Sequence, residues 1–146
     1  MNREFNRKHK MYKKIVVPVD LANTDKAAVM IETAKKLADD DARIILTNVV
    51  EEIPAHVVAE LPGGYSDRAK STALEELQTI ARSSGFDVEI DVRVGQPAKA
   101  ILAVADNNDA DAIVIASHRP GLQDYLLGST AARVVRHAGC TVVVIR

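Results

Sequence analysis

Short runs of β-branched apolar residues alternate with longer stretches whose apolar residues recur every three or four positions. That alternation is the mark of repeated βα units around a parallel sheet, and it leaves few other folds open. Five strands and four helices are expected from Met11 onward. The first strand is read at Lys13–Val19, with Pro18 near its end, where a missing N–H is tolerated. A first helix, capped by Asn23 or Thr24, puts Ala27, Met30, Ile31, Ala34, Leu37 and Ala38 on one face. Asp39–Asp41 would oppose the dipole of a helix C-terminus, so they are expected in a solvated loop.

The run RIILTNVV, Arg43–Val50, is nearly continuous in apolar residues, as a strand covered on both faces should be. Pro54, Pro62, Gly63 and Gly64 then mark a long loop, with room for one helical turn at Ala55–Ala59. A helix is expected from about Asp67 to Ser83, with Ala73, Leu74, Leu77 and Ile80 as its apolar face and Gly85 as its stop. In Asp87–Val94 the residues Val88, Ile90, Val92 and Val94 alternate with Asp87, Glu89, Asp91 and Arg93, the pattern of an edge strand with one wet face. Pro97 suits a first helical position, and Ala98–Asn107 carries the stripe Ile101, Leu102, Val104 and Ala105. Ala112–Ala116 is the fourth strand, a helix opens at Gly128-Ser129-Thr130 and runs to about Ala138, and Thr141–Arg146 is the last strand.

A chain of 146 residues, 47% apolar and 27% charged, has the size and balance of one domain with a buried core. Its 19 Lys/Arg nearly match its 20 Asp/Glu, so no net field favours nucleic acid. Apolar runs such as Ala112–Ala116 fall far short of the ~20 residues of a membrane span, so no membrane insertion is expected. One cysteine, Cys140, permits no internal disulfide and no cysteine-rich metal site; it is expected to be a small buried hydrophobe in a cytoplasmic protein. Residues 1–10 carry Arg3, Arg7, Lys8, His9 and Lys10 without the apolar segment of a secretory signal. They read as a basic tail or as an extension ahead of a start at Met11, with the domain proper at 11–146.

An open parallel sheet binds ligands beyond the carboxyl ends of its strands, where strand order reverses. The loops after the first and fourth strands are therefore the places to look for chemistry. The first delivers Asp20 behind Pro18 and Val19; it is either a ligand contact or a turn residue. The second, Ser117–Leu127, brings Ser117, His118 and Arg119 off the strand and ends at Gly128-Ser129-Thr130. Backbone N–H groups at a helix start, flanked by glycine and hydroxyls and faced by a guanidinium, suit a phosphate, although Ser129 could equally be an N-cap. Neither the P-loop nor the Gly-x-Gly-x-x-Gly pattern occurs.

The segments KKIVVPVD, TNVVE and IVIASHRP…YLLGSTAARVVRHAGCTVVVIR resemble the universal stress protein (UspA-like) family over Tyr12–Arg146. The resemblance implies an α/β fold of strand order 3-2-1-4-5, a homodimer, and ATP or another adenine nucleotide held between the first and fourth strand tips. Carried over by position, it implies that Pro18, Val19 and Asp20 border adenine and ribose, and that Val49 meets the adenine edge through its backbone. Ala116, Ser117, His118 and Arg119 would border ribose and phosphates; Gly128, Ser129 and Thr130 would cradle the phosphates, with Mg2+ as a companion ion. The better-known ATP-binding members have Gly-x-x-Gly, nine residues, then Gly-Ser/Thr. Here Ala116 and Arg119 stand at the glycine positions, and Pro120–Leu127 is one residue shorter.

The leading expectation is a nucleotide-occupancy-dependent stress-response module with no catalytic residues of its own. One alternative is a slow ATPase or phosphotransferase using Asp20 and Ser129; another is a ligand-free dimeric scaffold. His118 beside Ser117 and Asp20 lacks the strand-turn-helix elbow of a hydrolytic triad. His56, His118 and His137 fall in separate elements without metal-ligand spacing, and Glu75 and Glu76 read as a solvated helix face. Tyr125, Leu126 and Leu127 are expected to pin their loop to the sheet. The last strand, TVVVI, is an apolar edge without charges, so a second subunit is expected to cover Thr141–Arg146.

Overall fold

The computed structural model describes residues 12–117 and 127–146. Five strands form one parallel sheet: β1 (Tyr12–Pro18), β2 (Ala38–Glu51), β3 (Glu89–Gly95), β4 (Ala112–Ala116) and β5 (Thr141–Ile145). Their order is β3-β2-β1-β4-β5, as the resemblance implied. The helices are α1 (Ala27–Leu37), the short α2 (Ala55–Val58), α3 (Tyr65–Ser84), α4 (Pro97–Asn107) and α5 (Ser129–His137), and a 3-10 turn at Thr24–Lys26 leads into α1.

Alternation along the central strands divides the core into two layers. Ile15, Val17, Ile44, Leu46 and Val114 face Met30, Ile31 and Ala34 of α1 and Leu77 of α3. Val16, Ile45, Ile113 and Ile115 face Ile101 and Val104 of α4 and Ala131 and Val134 of α5. Helices on both faces explain why β1, β2 and β4 are apolar at consecutive positions rather than at every second one. Pro97 opens α4, and Gly85 caps α3 at φ 72°, a left-handed conformation that glycine adopts without a Cβ clash.

Four local expectations need correction. Asp39–Asp41 belong to β2, where Tyr12 pairs with Ala38 and Lys14 with Arg43. Residues 39–42 thus bulge opposite Lys13, so the acids are accommodated by an irregular strand rather than a loop. Ala38, expected at the end of the α1 stripe, is buried as the first residue of β2. Leu74 on α3 is 39% exposed, whereas Ala73 and Leu77 are buried and Ile80 and Ala81 pack beside Leu77 on the core. Val94 is 47% exposed, whereas Ile90 and Val92 of the same strand pack on the α1/α3 layer. Glu75 and Glu76 are exposed, as their helical position required.

The two sheet edges differ. On β3, Arg43 donates from Nε and Nη2 to the carboxylate of Glu89, both at 3.0 Å, and Arg93 Nε lies 2.6 Å from Asp91 Oδ1. That carboxylate holds the Arg93 guanidinium more firmly protonated than usual. On β5, Val142 and Val144 lean on one core layer and Val143 and Ile145 on the other, all half-buried. Among the described residues no helix is long and apolar enough to cross a membrane.

Candidate functional site

At the carboxyl end of the sheet, β1 stays paired with β2 as far as Pro18↔Thr47, and β4 with β5 as far as Ala116↔Ile145. Between β1 and β4, however, the pairs are Ile15↔Ala112 and Val16↔Ile113. The bridging ends there because Pro18 has no N–H to offer β4, and the connections of the two strands leave in opposite directions where strand order reverses. Between these connections opens a cleft of about 510 Å³.

Eight sequence-predicted residues from both sides meet there: Pro18 at the end of β1 with Val19 and Asp20 after it, Val49 on β2, Ala116 at the end of β4, and Gly128, Ser129 and Thr130 at the opening of α5. Ser117 does not line the cleft; its Oγ accepts from Gly128 N at 3.2 Å and its N–H donates to Ile145 O at 2.8 Å. It thereby ties the strand tip to the start of α5. His118, Arg119, Tyr125 and Leu126 lie outside the described residues, so their expected roles are not addressed by these contacts.

Gly128 is the N-cap of α5, which makes Ser129 its first helical residue and corrects the N-cap reading of Ser129. Glycine has no side chain with which to cap this terminus, and none of the described residues caps it. Gly128 O accepts from Ala132 N at 2.8 Å, as the first helical bond. The N–H groups of Ser129, Thr130 and Ala131 precede the point where intrahelical bonding begins, and they carry the positive end of the helix dipole. Both Gly128 and Ala131 are buried, so this donor set borders the cleft rather than open solvent.

Asp20 takes the turn reading and also lines the cleft. Its Oδ1 accepts from Ala22 N at 2.9 Å and its Oδ2 from Asn23 Nδ2 at 3.0 Å, while Asn23 N donates to Asp20 O at 3.0 Å. The residue therefore builds an Asx turn and also stands at the cleft wall with each oxygen keeping lone pairs free. Asn48 fixes the strand tip behind it, donating from Nδ2 to Val19 O at 2.8 Å, and Val19 N donates to Thr47 O at the same distance.

Sequence reasoning missed several lining residues. Pro97 and Ile101 of α4 and Ile115 of β4 form an apolar wall, and Thr47 forms part of the floor. Thr47 is 0% exposed and its Oγ1 finds no hydrogen-bond partner among the described residues. The polar pair Thr47-Asn48 inside the otherwise apolar run Ile44–Val50 was the available signal. The described charges of the cleft are Asp20, Asp25, Glu51 and Lys26. Three carboxylates against one ammonium would repel an anion, which leaves the α5 terminus as the favourable end for one.

His56 and His137 are exposed on α2 and in the last turn of α5. Among the described residues no group of three His, Cys, Asp or Glu could hold a metal ion. Cys140 is half-buried just before β5, against the α4/α5 layer, rather than fully buried. Burial first, then the negative charges of Asp106 and Asp111, pushes its thiol pKa up.

An open parallel sheet with helices on both faces and a cleft at its switch point defines an α/β protein of the kind that receives its ligand at the strand tips. The chain belongs to the universal stress protein family, whose model matches residues 11–146. It is similar to universal stress protein G of Escherichia coli O157:H7, 32% identical over 142 residues covering 93% of this chain and 100% of the relative. Among solved structures, the protein MJ0577 is 27% identical, with a TM-score of 0.75 and coverage of 92% of this chain and 96% of that one. A universal stress protein in complex with cAMP is 26% identical, with a TM-score of 0.61 and coverage of 92% and 97%.

Proposed function

We propose that this protein binds ATP or a related adenine nucleotide in the cleft between the tips of β1 and β4 and serves as a nucleotide-occupancy-dependent stress-response module. The observation that carries the reading is the uncapped N-terminus of α5, turned toward the same cleft as Asp20 and an apolar wall. These three features match the three parts of a nucleotide. An apolar slot of Pro97, Ile101 and Ile115 suits a flat base, and a carboxylate with free lone pairs suits ribose hydroxyls. The Ser129 and Thr130 N–H groups suit phosphate. The related protein solved with cAMP supports an adenine nucleotide over other anions.

Pro18, Val19 and Val49 would then border the base, Ala116 the ribose, and Gly128, Ser129 and Thr130 the phosphates. His118 and Arg119 would complete the phosphate end, where a guanidinium offsets the carboxylates of the cleft. A divalent ion such as Mg2+ would travel on the phosphates, since the described residues hold no ligand group of their own for one. Occupancy rather than turnover is our reading because the sequence contains no Gly-Lys pair of the Walker type to act on the γ-phosphate. The uncharged edge of β5 supports a homodimer through Thr141–Arg146, and a single cysteine held as a thiol suits a reducing cytoplasm.

Mass spectrometry of small molecules released by denaturing freshly purified protein tests the reading. Released ATP is expected. Release of ADP or AMP alone would favour the hydrolase, and no nucleotide, together with no heat on titration with ATP, would favour the scaffold.

A further inference from the structure

The floor of the cleft contains a group that the fold does not need. Thr47 follows Ile45 on the face of β2 that meets α4 and α5, and two residues further on the same face stands Val49. It lines the same cleft as the apolar residues Ile101, Pro97 and Ile115. A hydroxyl there has one proton to donate and two lone pairs, and Oγ1 meets no partner among the described residues. Its neighbour Asn48 is different, because that side-chain amide binds Val19 O. Valine has the same shape as threonine and would fill the position without an unpaired polar atom, so folding alone favours valine. A hydroxyl that costs stability in the free protein is accounted for when something entering the cleft supplies its partner.

We infer that Thr47 is a specificity-determining residue whose hydroxyl hydrogen-bonds the heteroatom edge of the nucleotide base. The inference rests on the nucleotide reading given above and deepens it by naming the group that reads the base. Asp20 stands at the mouth and the α5 N-terminus at the opposite side, so ribose and phosphate have their own polar partners. The apolar slot accepts the one part of a nucleotide that is flat, largely apolar on its faces and polar along its rim. Adenine offers ring nitrogens that accept and an exocyclic amine that donates, and a hydroxyl complements either.

Calorimetric titration of wild type, Thr47→Val and Thr47→Ser with adenosine and with ATP, all stripped of copurified nucleotide, tests this. Thr47→Val is expected to weaken adenosine and ATP by the same factor, about 3–10-fold, and to raise the melting temperature of the ligand-free protein. Thr47→Ser, which keeps the hydroxyl, should stay within about 2-fold of wild type for both ligands. Equal affinities for wild type and Thr47→Val, or a loss confined to ATP, would overturn the inference while leaving nucleotide binding intact. A lower ligand-free melting temperature for Thr47→Val would also overturn it, by showing that the hydroxyl is already paired in the fold. Failure of the wild type to bind either ligand would instead contradict the nucleotide reading on which the inference stands.

Discussion

The two ends of the sheet use their polar groups differently. At the amino end, Asp111 ahead of β4 accepts from Lys13 N at 2.8 Å and Lys14 N at 3.0 Å, and its own N–H donates to Lys14 O at 2.9 Å. One carboxylate thus closes the ladder between β1 and β4 where the two strands are paired. At the carboxyl end the bridging between the same strands stops at Pro18, a helix starts there, and among the described residues a buried hydroxyl lacks a partner. At the amino end Asp111 is spent on the strands, although Asp39 Oδ1 is buried there without a partner among the described residues; at the carboxyl end Asp20, Asn48 and Ser117 are tied to the chain while Thr47 Oγ1 is not. On the reading proposed above, the amino end serves stability and the carboxyl end serves binding.

The largest effect should come from Gly128→Val, which crowds the start of α5 where backbone must approach a phosphate. ATP affinity is expected to fall by at least ~1–3 kcal/mol, the cost of charge-assisted acceptors left unmatched. Unchanged affinity by calorimetry would remove the phosphate assignment and blur the difference between the ends. Asp111→Ala is the matching change at the amino end. It should cost about 1–2 kcal/mol of folding stability in chemical denaturation by freeing two backbone N–H groups, with ATP affinity unaltered in the folded protein. A parallel loss of affinity would mean the ends are coupled and the comparison is too simple.

A third change concerns the edges rather than the ends. If β5 pairs with its copy across a two-fold axis, Val143→Lys places like charges near that axis and should shift sedimentation from dimer to monomer. A wild-type protein that sediments at 15.8 kDa at micromolar concentration would contradict the pairing. The smallest effect is expected at Cys140. Its folded pKa lies above the unfolded value, so thiolate forms at higher pH in the native protein than in the denatured chain. Alkylation near pH 8 should therefore be slower native than denatured, and any stabilisation from keeping the thiol neutral is lost as pH rises past the unfolded pKa toward the folded one. Faster alkylation of the native protein would show an activated thiol.

Much of the fold was legible because strands buried on both faces write consecutive apolar residues, and α-helices write a period near 3.6. Ala112–Ala116 and the Pro97 start of α4 fall where those patterns put them. The acidic stretch misled because three aspartates look like a loop in any local reading, whereas the pairing of Tyr12 with Ala38 draws them into β2 as a bulge. Val94 misled for a related reason: alternation predicts which face a residue takes, not whether a helix extends far enough to cover it. The site was half legible. Asp20 and Gly128–Thr130 announce themselves by position after a strand and before a helix. Ile101, Pro97 and Thr47 do not, because they are ordinary residues of helix or strand until the fold places them around a common cleft.

The separation of roles between the two ends is tested most directly by backbone amide chemical shifts of isotope-labelled, nucleotide-free protein during titration with ATP. The largest perturbations are expected at Val19, Asp20, Asn48, Val49, Ser129 and Thr130, with Lys13, Lys14 and Asp111 unmoved. Perturbations centred on Lys13, Lys14 and Asp111, or none at saturating ATP, would contradict the account.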